Sequence, residues 1–249
     1  MIPAIVIGRG QSKGFPGKNT EMVDGHPMMA YPIMAAEESK RVDEAYFSTE
    51  DAIIRYWAFR YRAEIIYRPD FLATDEALGE DVFVHAYNAI KAYADDHIEY
   101  VVLMFANAPC VTGQMIDEMV SILDDKNHFD FDSIATISKY NMYHPMRMRK
   151  YKKNHIAGGA MQVTPWMNEA ELVRFNCDRD SGGDVWIYDC SCAVVRPDCL
   201  EKIQEGTPPQ RWLGKYVLGY PQVIPALDVD YAYQVGQVEY WLKNKGGRN

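Results

Sequence analysis

Residues 8–19 read Gly8-Arg9-Gly10-Gln11-Ser12-Lys13-Gly14-Phe15-Pro16-Gly17-Lys18-Asn19 and follow directly on the apolar run Ile5-Val6-Ile7. Glycine lets a backbone approach a ligand closely and take up positive φ without strain. Consecutive free amides form an anion-binding concavity, and Arg9, Lys13 and Lys18 add positive charge. The chemistry these residues suit is the holding of a polyphosphate at the end of the first strand. Two common phosphate loops are excluded. A P-loop needs Gly-Lys-Ser/Thr after a glycine five residues earlier; here Asn19 follows Lys18 and Ser12 stands at the glycine position. A dinucleotide loop needs Gly-x-Gly-x-x-Gly, and Lys13 occupies the third glycine position. A tight strand-to-loop turn with exposed lysines is the remaining alternative.

Far along the chain, Asp228-Val229-Asp230 pairs two carboxylates. In a strand, residues two apart point the same way, so both can face one cation. Mg²⁺ takes one or two carboxylates together with phosphate oxygens and water. An acidic chain also carries such pairs as solvated loops, so the pair alone is a candidate metal site and no more. The five cysteines are odd in number, which argues against a disulfide framework. Cys190-Ser191-Cys192 lacks the spacing of a zinc knuckle and reads as two small core residues on one face of a strand.

Elements that position these residues follow from the periodicity. Strand patterns occupy 2–7, 44–48, 64–67, 100–105, 133–138, 184–195 and 216–224. Helical patterns occupy 28–38, 52–61, 81–94 and 231–243, and another begins after Thr112 and runs to about Leu123. Strands and helices alternate through the first half, which predicts an α/β fold with a mostly parallel sheet covered by helices on both faces. Ligands of such sheets sit beyond the carboxyl ends of the strands, where the loops after residues 7, 48 and 105 lie. Residues 144–153 read as a basic stretch interrupted by Pro145, 158–171 as an irregular excursion, and 201–214 as a loop. The simplest account is one domain over 1–249 with an arm or flap inserted near 140–180. Of the 249 residues, 48% are hydrophobic and the net charge is −9. That composition supports a packed core and disfavours nucleic acid as a partner. No long apolar run or signal-peptide pattern appears, so a cytoplasmic protein without a membrane span is expected.

The loop resembles the Ala-Arg-Gly-Gly-Ser-Lys-Gly-x-Pro-x-Lys-Asn signature of the CMP-sugar cytidylyltransferases of the acylneuraminate type, with Gly8 for the alanine and Gln11 for the second glycine. Further stretches match in order. Phe47-Ser48-Thr49-Glu50-Asp51 is similar to the turn after that family's second strand. Arg68-Pro69 and Ala73-Thr74-Asp75-Glu76-Ala77 are similar to its Arg-Pro-x-x-Leu-Ala-x-Asp-x-Ala stretch. Asp81-Val82 with His85-Ala86 matches the helix that follows, and Asp228-Val229-Asp230 its Asp-Ile-Asp. The match is good over the first 90 or so residues and patchy beyond.

The resemblance implies a Rossmann-like, GT-A-like nucleotidyltransferase fold. It also implies Mg²⁺-dependent transfer of CMP from CTP to a hydroxyl of an acidic, nonulosonate-like sugar, with pyrophosphate released, in CMP-sugar and cell-surface polysaccharide synthesis. Arg9, Lys13 and Lys18 would grip the triphosphate, and Asp230 joins them as a catalytic residue. Amides from Gly10 to Gly14 would help. Gly8, Gly10, Ser12, Asn19, Arg68 and Ala77 would complete the nucleotide site, the last two against cytosine, and Asp228 and Asp230 would hold Mg²⁺. The acceptor side departs from the family. Phe105 stands where a glutamine would meet the sugar, Val111 where an arginine ends that motif, and Asp189-Cys190 where the family has Asn-Gly. Asn107, Arg147 and Arg179 remain as acceptor candidates, Arg147 equally as part of a solvated basic turn. His144 alone makes a poor general base.

The nucleotide half is thus retained and the acceptor half rewritten, which implies an acceptor other than ordinary sialic acid. An octulosonate, phosphonate or phosphate acceptor and a non-catalytic nucleotide-binding homologue are the other readings. The family's homodimers exchange an arm. Here Tyr140, Tyr143, Met146, Met148, Met161 and Trp166 would suit such an interface, or packing within one chain.

Overall fold

The structure, a computed structural model, describes residues 1–12, 14–94, 96–152 and 160–244. In chain order its strands are β1 (Pro3–Ile7), β2 (Met22–Val23), β3 (His26–Pro27), β4 (Glu44–Thr49), β5 (Glu64–Tyr67), β6 (Val101–Phe105), β7 (Ser133–Lys139), β8 (Arg149–Lys152), β9 (Gln162–Pro165), β10 (Trp186–Val195) and β11 (Val217–Pro221). The α-helices are α1 (Ala30–Glu38), α2 (Ala52–Arg60), α3 (Gly79–Tyr93), α4 (Gly113–Asp124), α5 (Glu169–Leu172), α6 (Asp198–Glu201) and α7 (Val235–Lys243). They form two units, one of residues 1–137 with 188–249 and one of residues 138–187.

The larger unit is built on a seven-stranded sheet in the order β11-β7-β10-β6-β1-β4-β5. Strands β6, β1, β4 and β5 are parallel, β7 and β11 are parallel to each other, and β10 runs antiparallel to β6. The expected mostly parallel α/β fold is present. Buried on both faces, β1 and β6 are apolar throughout, as central parallel strands must be. Alternation divides their side chains. Ala4, Val6, Val102 and Met104 face the core containing Tyr31, Phe47, Met115 and Trp241. Ile5, Ile7, Val101 and Leu103 face the core containing Phe83, Tyr87 and Leu200. The second face is closed by α3 and α6, where the Tyr87 hydroxyl and Lys91 Nζ both donate to Glu201 Oε1 at 2.6 Å.

Helix starts are set by their caps. The Asp51 carboxylate accepts from the amides of Ile53 and Ile54 at the head of α2, at 2.8 and 2.9 Å. Thr112 Oγ1 accepts from Met115 N at 3.2 Å at the head of α4, as the sequence predicts. Residues 201–214, expected as loop, contain 3₁₀ turns at Ile203–Glu205 and Arg211–Leu213. The expected terminal helix from 231 starts later: Ala232–Gln234 is a 3₁₀ turn and α7 begins at Val235.

The smaller unit carries an antiparallel pair, β8 with β9, pairing Arg149 with Pro165 and Lys152 with Gln162. This pair is a correction to the basic and irregular stretches expected there. Its β8 residues, Arg149-Lys150-Tyr151-Lys152, carry almost no apolar alternation from which a strand could be read. Asn141 stitches the unit together. Its Nδ2 donates to Asp180 Oδ1 at 2.6 Å and Asp184 Oδ1 at 3.1 Å, and its Oδ1 accepts from Val185 N at 3.1 Å. His144 is buried, with Nδ1 accepting from Met146 N at 3.1 Å and Nε2 lying 3.2 Å from Gly182 O. The imidazole therefore caps a turn. Among the described residues no helix is long and apolar enough to cross a membrane, and all five thiols are free.

Candidate active site

The loop after β1 turns back over the carboxyl ends of β1, β4, β5 and β6, the usual crevice of parallel α/β sheets. A cavity of about 230 Å³ opens there. Gly8, Arg9, Lys18, Asn19, Arg68, Ala77, Phe105 and Asn107 all line it, so eight of the residues singled out from sequence converge. Gly10 and Ser12 stand in the same loop but outside the lining. Lys13 lies outside the described residues. Arg147 and Arg179 belong to the smaller unit, where Arg179 already forms a two-pronged pair with Asp180 at 3.1 and 3.0 Å.

Gly8 is held against the end of the neighbouring strand. A Cβ on it would lie 2.6 Å from Ala106 Cβ, 3.1 Å from Phe47 Cζ and 3.3 Å from Asn19 Nδ2. The alanine of the resembled signature does not fit here, so the departure at Gly8 follows from its neighbours. Gly17 adopts φ 76°, a left-handed turn that starts the 3₁₀ segment Lys18–Thr20 and delivers Lys18 and Asn19 to the cavity. Asn19 is buried. Its Nδ2 donates to Arg9 O at 2.8 Å, while its Oδ1 has no partner. A buried acceptor without a donor is costly, and Asn19 is one of the residues lining the cavity.

The cations are matched by acids. Arg9 Nη1 lies 2.7 Å from Asp75 Oδ1 and donates to Thr74 O at 3.0 Å. Lys18 Nζ donates to Asp230 Oδ1 at 2.7 Å. Arg68, which could have been a surface arginine before a proline, is buried. Its Nη2 donates to Ser48 O at 2.6 Å, and Glu50 Oε2 lies 3.8 Å from its Nη1. Burial lowers its pKa to about 10, Glu50 opposes that shift, and the charge of Arg9 adds to it. Glu50 was missed as a site residue. It takes the Gly10 amide onto Oε1 at 2.8 Å, while Oε2 is buried without a hydrogen bond. The Gly10 amide is thus engaged by Glu50 and not free for phosphate. The acid in the turn after β4 was the available signal for Glu50, and Asp75 in the Ala-x-Asp-x-Ala match was the signal for the Arg9 partner.

Asp228 and Asp230 lie in an extended segment after β11, not in a strand. The segment has no ladder partner. It is held by Val229 N donating to Asn107 O at 2.8 Å and by Asn107 Nδ2 donating to Val229 O at 3.0 Å and Asp228 Oδ2 at 3.3 Å. Gln234 Oε1 then accepts from the amides of Asp230 and Tyr231 at 2.7 and 2.8 Å. Burial, and next the charge of Asp230, push the Asp228 carboxyl above its usual range; Lys18 and Asn107 pull it back. Two carboxylates that repel each other in a partly dry setting are a donor set that suits a hard cation. Among the described residues no cluster of three or more His, Cys, Asp or Glu could hold a metal, so a cation here would rely on this pair with phosphate oxygens and water. The departures on the acceptor side also separate: Phe105 lines the cavity, whereas Val111 is buried in the core.

The family model for cytidylyltransferases matches residues 3–158. The chain belongs to the cytidylyltransferase family. Among relatives, N-acylneuraminate cytidylyltransferase A of Danio rerio is 25% identical over 166 residues, covering 66% of this chain and 35% of that protein. The CMP-N,N'-diacetyllegionaminic acid synthase of Legionella pneumophila is 39% identical over 75 residues, covering 30% of this chain and 32% of that protein. The chain thus spans about a third of the length of these curated relatives. A solved CMP:2-keto-3-deoxy-manno-octonic acid synthetase complexed with CTP matches with a TM-score of 0.66 at 11% identity, over 98% of this chain and 99% of that one. That likeness bears on the fold, which is the nucleotidyltransferase architecture expected.

Proposed function

We propose that this chain transfers a cytidylyl group from CTP to a hydroxyl of an acidic keto sugar. The acceptor oxygen bonds to the α-phosphorus, the bond to the β-phosphate oxygen breaks, pyrophosphate leaves, and the acceptor proton passes to solvent. The observation that carries this reading is the convergence of Gly8, Arg9, Lys18, Asn19, Arg68 and Ala77 on one cavity in a chain of this family.

Such transfers depend on positioning and on cations that hold developing charge. Lys18 and Arg9 exchange their acidic partners Asp230 and Asp75 for phosphate oxygens, and Lys13 in the same loop joins them. Asn19 Oδ1 accepts a hydrogen bond from the nucleoside. Arg68 forms the floor near the base, kept charged at neutral pH with its guanidinium braced by Ser48 and Glu50. Asp228 and Asp230 would hold Mg²⁺, which when bound supplies a Lewis acid for the phosphate oxygens and the acceptor hydroxyl. Asn107 and Gln234 orient the two carboxylates.

A homodimer is part of the same reading. The smaller unit leaves Met142, Tyr143, Met148, Met161 and Trp166 exposed, and aromatic residues and methionine favour interfaces. Pyrophosphate release with CTP and a panel of acidic keto sugars tests the activity, and light scattering tests the dimer. Release with at least one acceptor, dependent on CTP over UTP and GTP, is expected. CTP binding without release from any acceptor would leave a nucleotide-binding protein without the transferase.

A further inference from the structure

Glu50 does not line the nucleotide cavity, yet its carboxylate faces two separate parts of the site. Oε1 accepts from the Gly10 amide of the first loop at 2.8 Å. Oε2 lies 3.8 Å from Nη1 of the cavity-lining Arg68, is buried, and makes no hydrogen bond. The acid is itself held in place. Its backbone carbonyl accepts from Arg55 Nη1. The next residue, Asp51, donates its amide to Thr49 Oγ1 at 3.2 Å and caps α2 with its carboxylate. Glu50 is thus pinned between the end of β4 and the start of α2.

Both partners are as constrained as the acid. A Cβ on Gly10 would lie 2.8 Å from Asp51 Cβ and closer still to its Oδ2, so the first loop presses against this same turn. The Arg68 side chain is only 4% exposed. Its Nη2 donates to Ser48 O at 2.6 Å and its Nε to Ser48 Oγ at 3.4 Å. Ser48 therefore fixes two of the three guanidinium nitrogens, and Glu50 faces the third. A guanidinium has donors and no acceptor, and a buried charge deprived of its opposite charge is strongly unfavourable. An acid beside a loop that binds phosphates is also unfavourable in itself, because it repels them. Space filling alone would not call for a carboxylate here.

We propose that Glu50 is a positioning residue that ties the nucleoside side of the cavity to the phosphate loop. One oxygen fixes the first loop at Gly10, and the other keeps Arg68 charged and held at the cavity wall. The proposal rests on the reading of the cavity as a nucleotide site, with Arg68 on the nucleoside side, and adds a link between its two halves. It also divides the work of the loop: the Gly10 amide is engaged by Glu50, so the phosphates fall to side chains such as Arg9 and Lys18. The two oxygens can be separated by substitution. In Glu50→Gln the amide oxygen can still accept from Gly10, while the charge facing Arg68 is gone. In Glu50→Ala both contacts are gone.

The experiment measures the Kd of CTP and of inorganic tripolyphosphate by calorimetry in one Mg²⁺ buffer, and takes their ratio as the gain that the nucleoside brings. In Glu50→Gln this gain should fall by about 5- to 30-fold, while tripolyphosphate binds as tightly as in the parent or more tightly. Damage to the fold would weaken both ligands together, so the split marks positioning. In Glu50→Ala the gain should fall as far, and tripolyphosphate should also weaken because the loop loses its tether. Should the glutamine variant not fold, the alanine variant carries the test. An unchanged gain in either folded variant overturns the proposal, as does loss of fold in both, which would leave Glu50 a structural residue. Arg68→Met separates the proposal from the reading beneath it. If Arg68→Met lowers the gain and the Glu50 variants do not, the link through Glu50 fails and the nucleotide site stands. If Arg68→Met leaves the gain intact, the placing of Arg68 beside the nucleoside fails, and the link with it.

Discussion

Gly8→Ala tests whether the site is built as tightly as the distances say. The new methyl carbon would sit 2.6 Å from Ala106 Cβ and 3.1 Å from Phe47 Cζ, against an ordinary carbon contact of about 3.5–4.0 Å. Gly8 N donates to Ser48 O at 3.3 Å and Ala106 N to Ile7 O at 2.9 Å, so both backbones are tied to strand ends and cannot part freely. Overpacking of this kind costs about 1–3 kcal/mol. For a chain of this size each kcal/mol lowers Tm by about 2–4 °C, so thermal unfolding should fall by roughly 2–12 °C. The same carbon would press on Asn19 Nδ2 at 3.3 Å, so CTP affinity should fall as well. Removing the opposing methyl in Gly8→Ala/Ala106→Gly should restore part of the loss, with a coupling of about 0.5–3 kcal/mol in a double-mutant cycle. A Gly8→Ala protein with unchanged Tm, or a cycle with no coupling, would refute the steric account and leave the missing alanine unexplained.

Three other outcomes follow from the charges. Lys18→Ala and Asp230→Asn should each lower turnover by about 10²–10³-fold with circular dichroism nearly unchanged and only a small change in Tm, since their 2.7 Å pair is open to solvent on the Asp230 side and such pairs contribute little to stability; full activity in either variant removes that residue from the site. Asp228→Asn should abolish turnover yet stabilise the protein by about 0.5–2 kcal/mol at pH 7, read by denaturant titration. The sign follows from linkage: the folded carboxyl is raised by burial and by Asp230, so its contribution is favourable below the ordinary carboxylate pKa and is lost as pH rises through the folded value. The stabilisation by asparagine should therefore shrink in acid, and a variant less stable than the parent at pH 7 would contradict the repulsion.

Much of the nucleotide side was legible because it is local. Gly8, Arg9, Lys18 and Asn19 of the first loop, with Arg68 and Ala77, lie in stretches that follow strands, and the sheet gathers them at one cavity. The acidic partners were harder to read. Glu50, Asp75 and Asp230 meet their partners across separations of 18–212 positions, so the sequence shows the acids but not which cation each one faces. Asp228 and Asp230 were singled out as a pair in a strand, but their support comes from Asn107 and Gln234 and not from a strand. Cys190 was read by alternation as sharing a face with Cys192, and both line one small cavity, although Cys190 takes a positive φ of 62° that alternation does not foresee. The hairpin of β8 and β9 escaped because exposed strands with one partner carry little apolar periodicity.

The claim on which the rest depends is that the first loop and Lys18 bind a nucleoside triphosphate with help from a divalent ion at Asp228 and Asp230. Calorimetric titration of CTP into the protein, with and without Mg²⁺, tests it directly. The account predicts one CTP per chain, bound more tightly with Mg²⁺ than without, and loss of that Mg²⁺ dependence in Asp230→Asn. No CTP uptake in either condition, or equal affinity with and without Mg²⁺ in the parent protein, would contradict it.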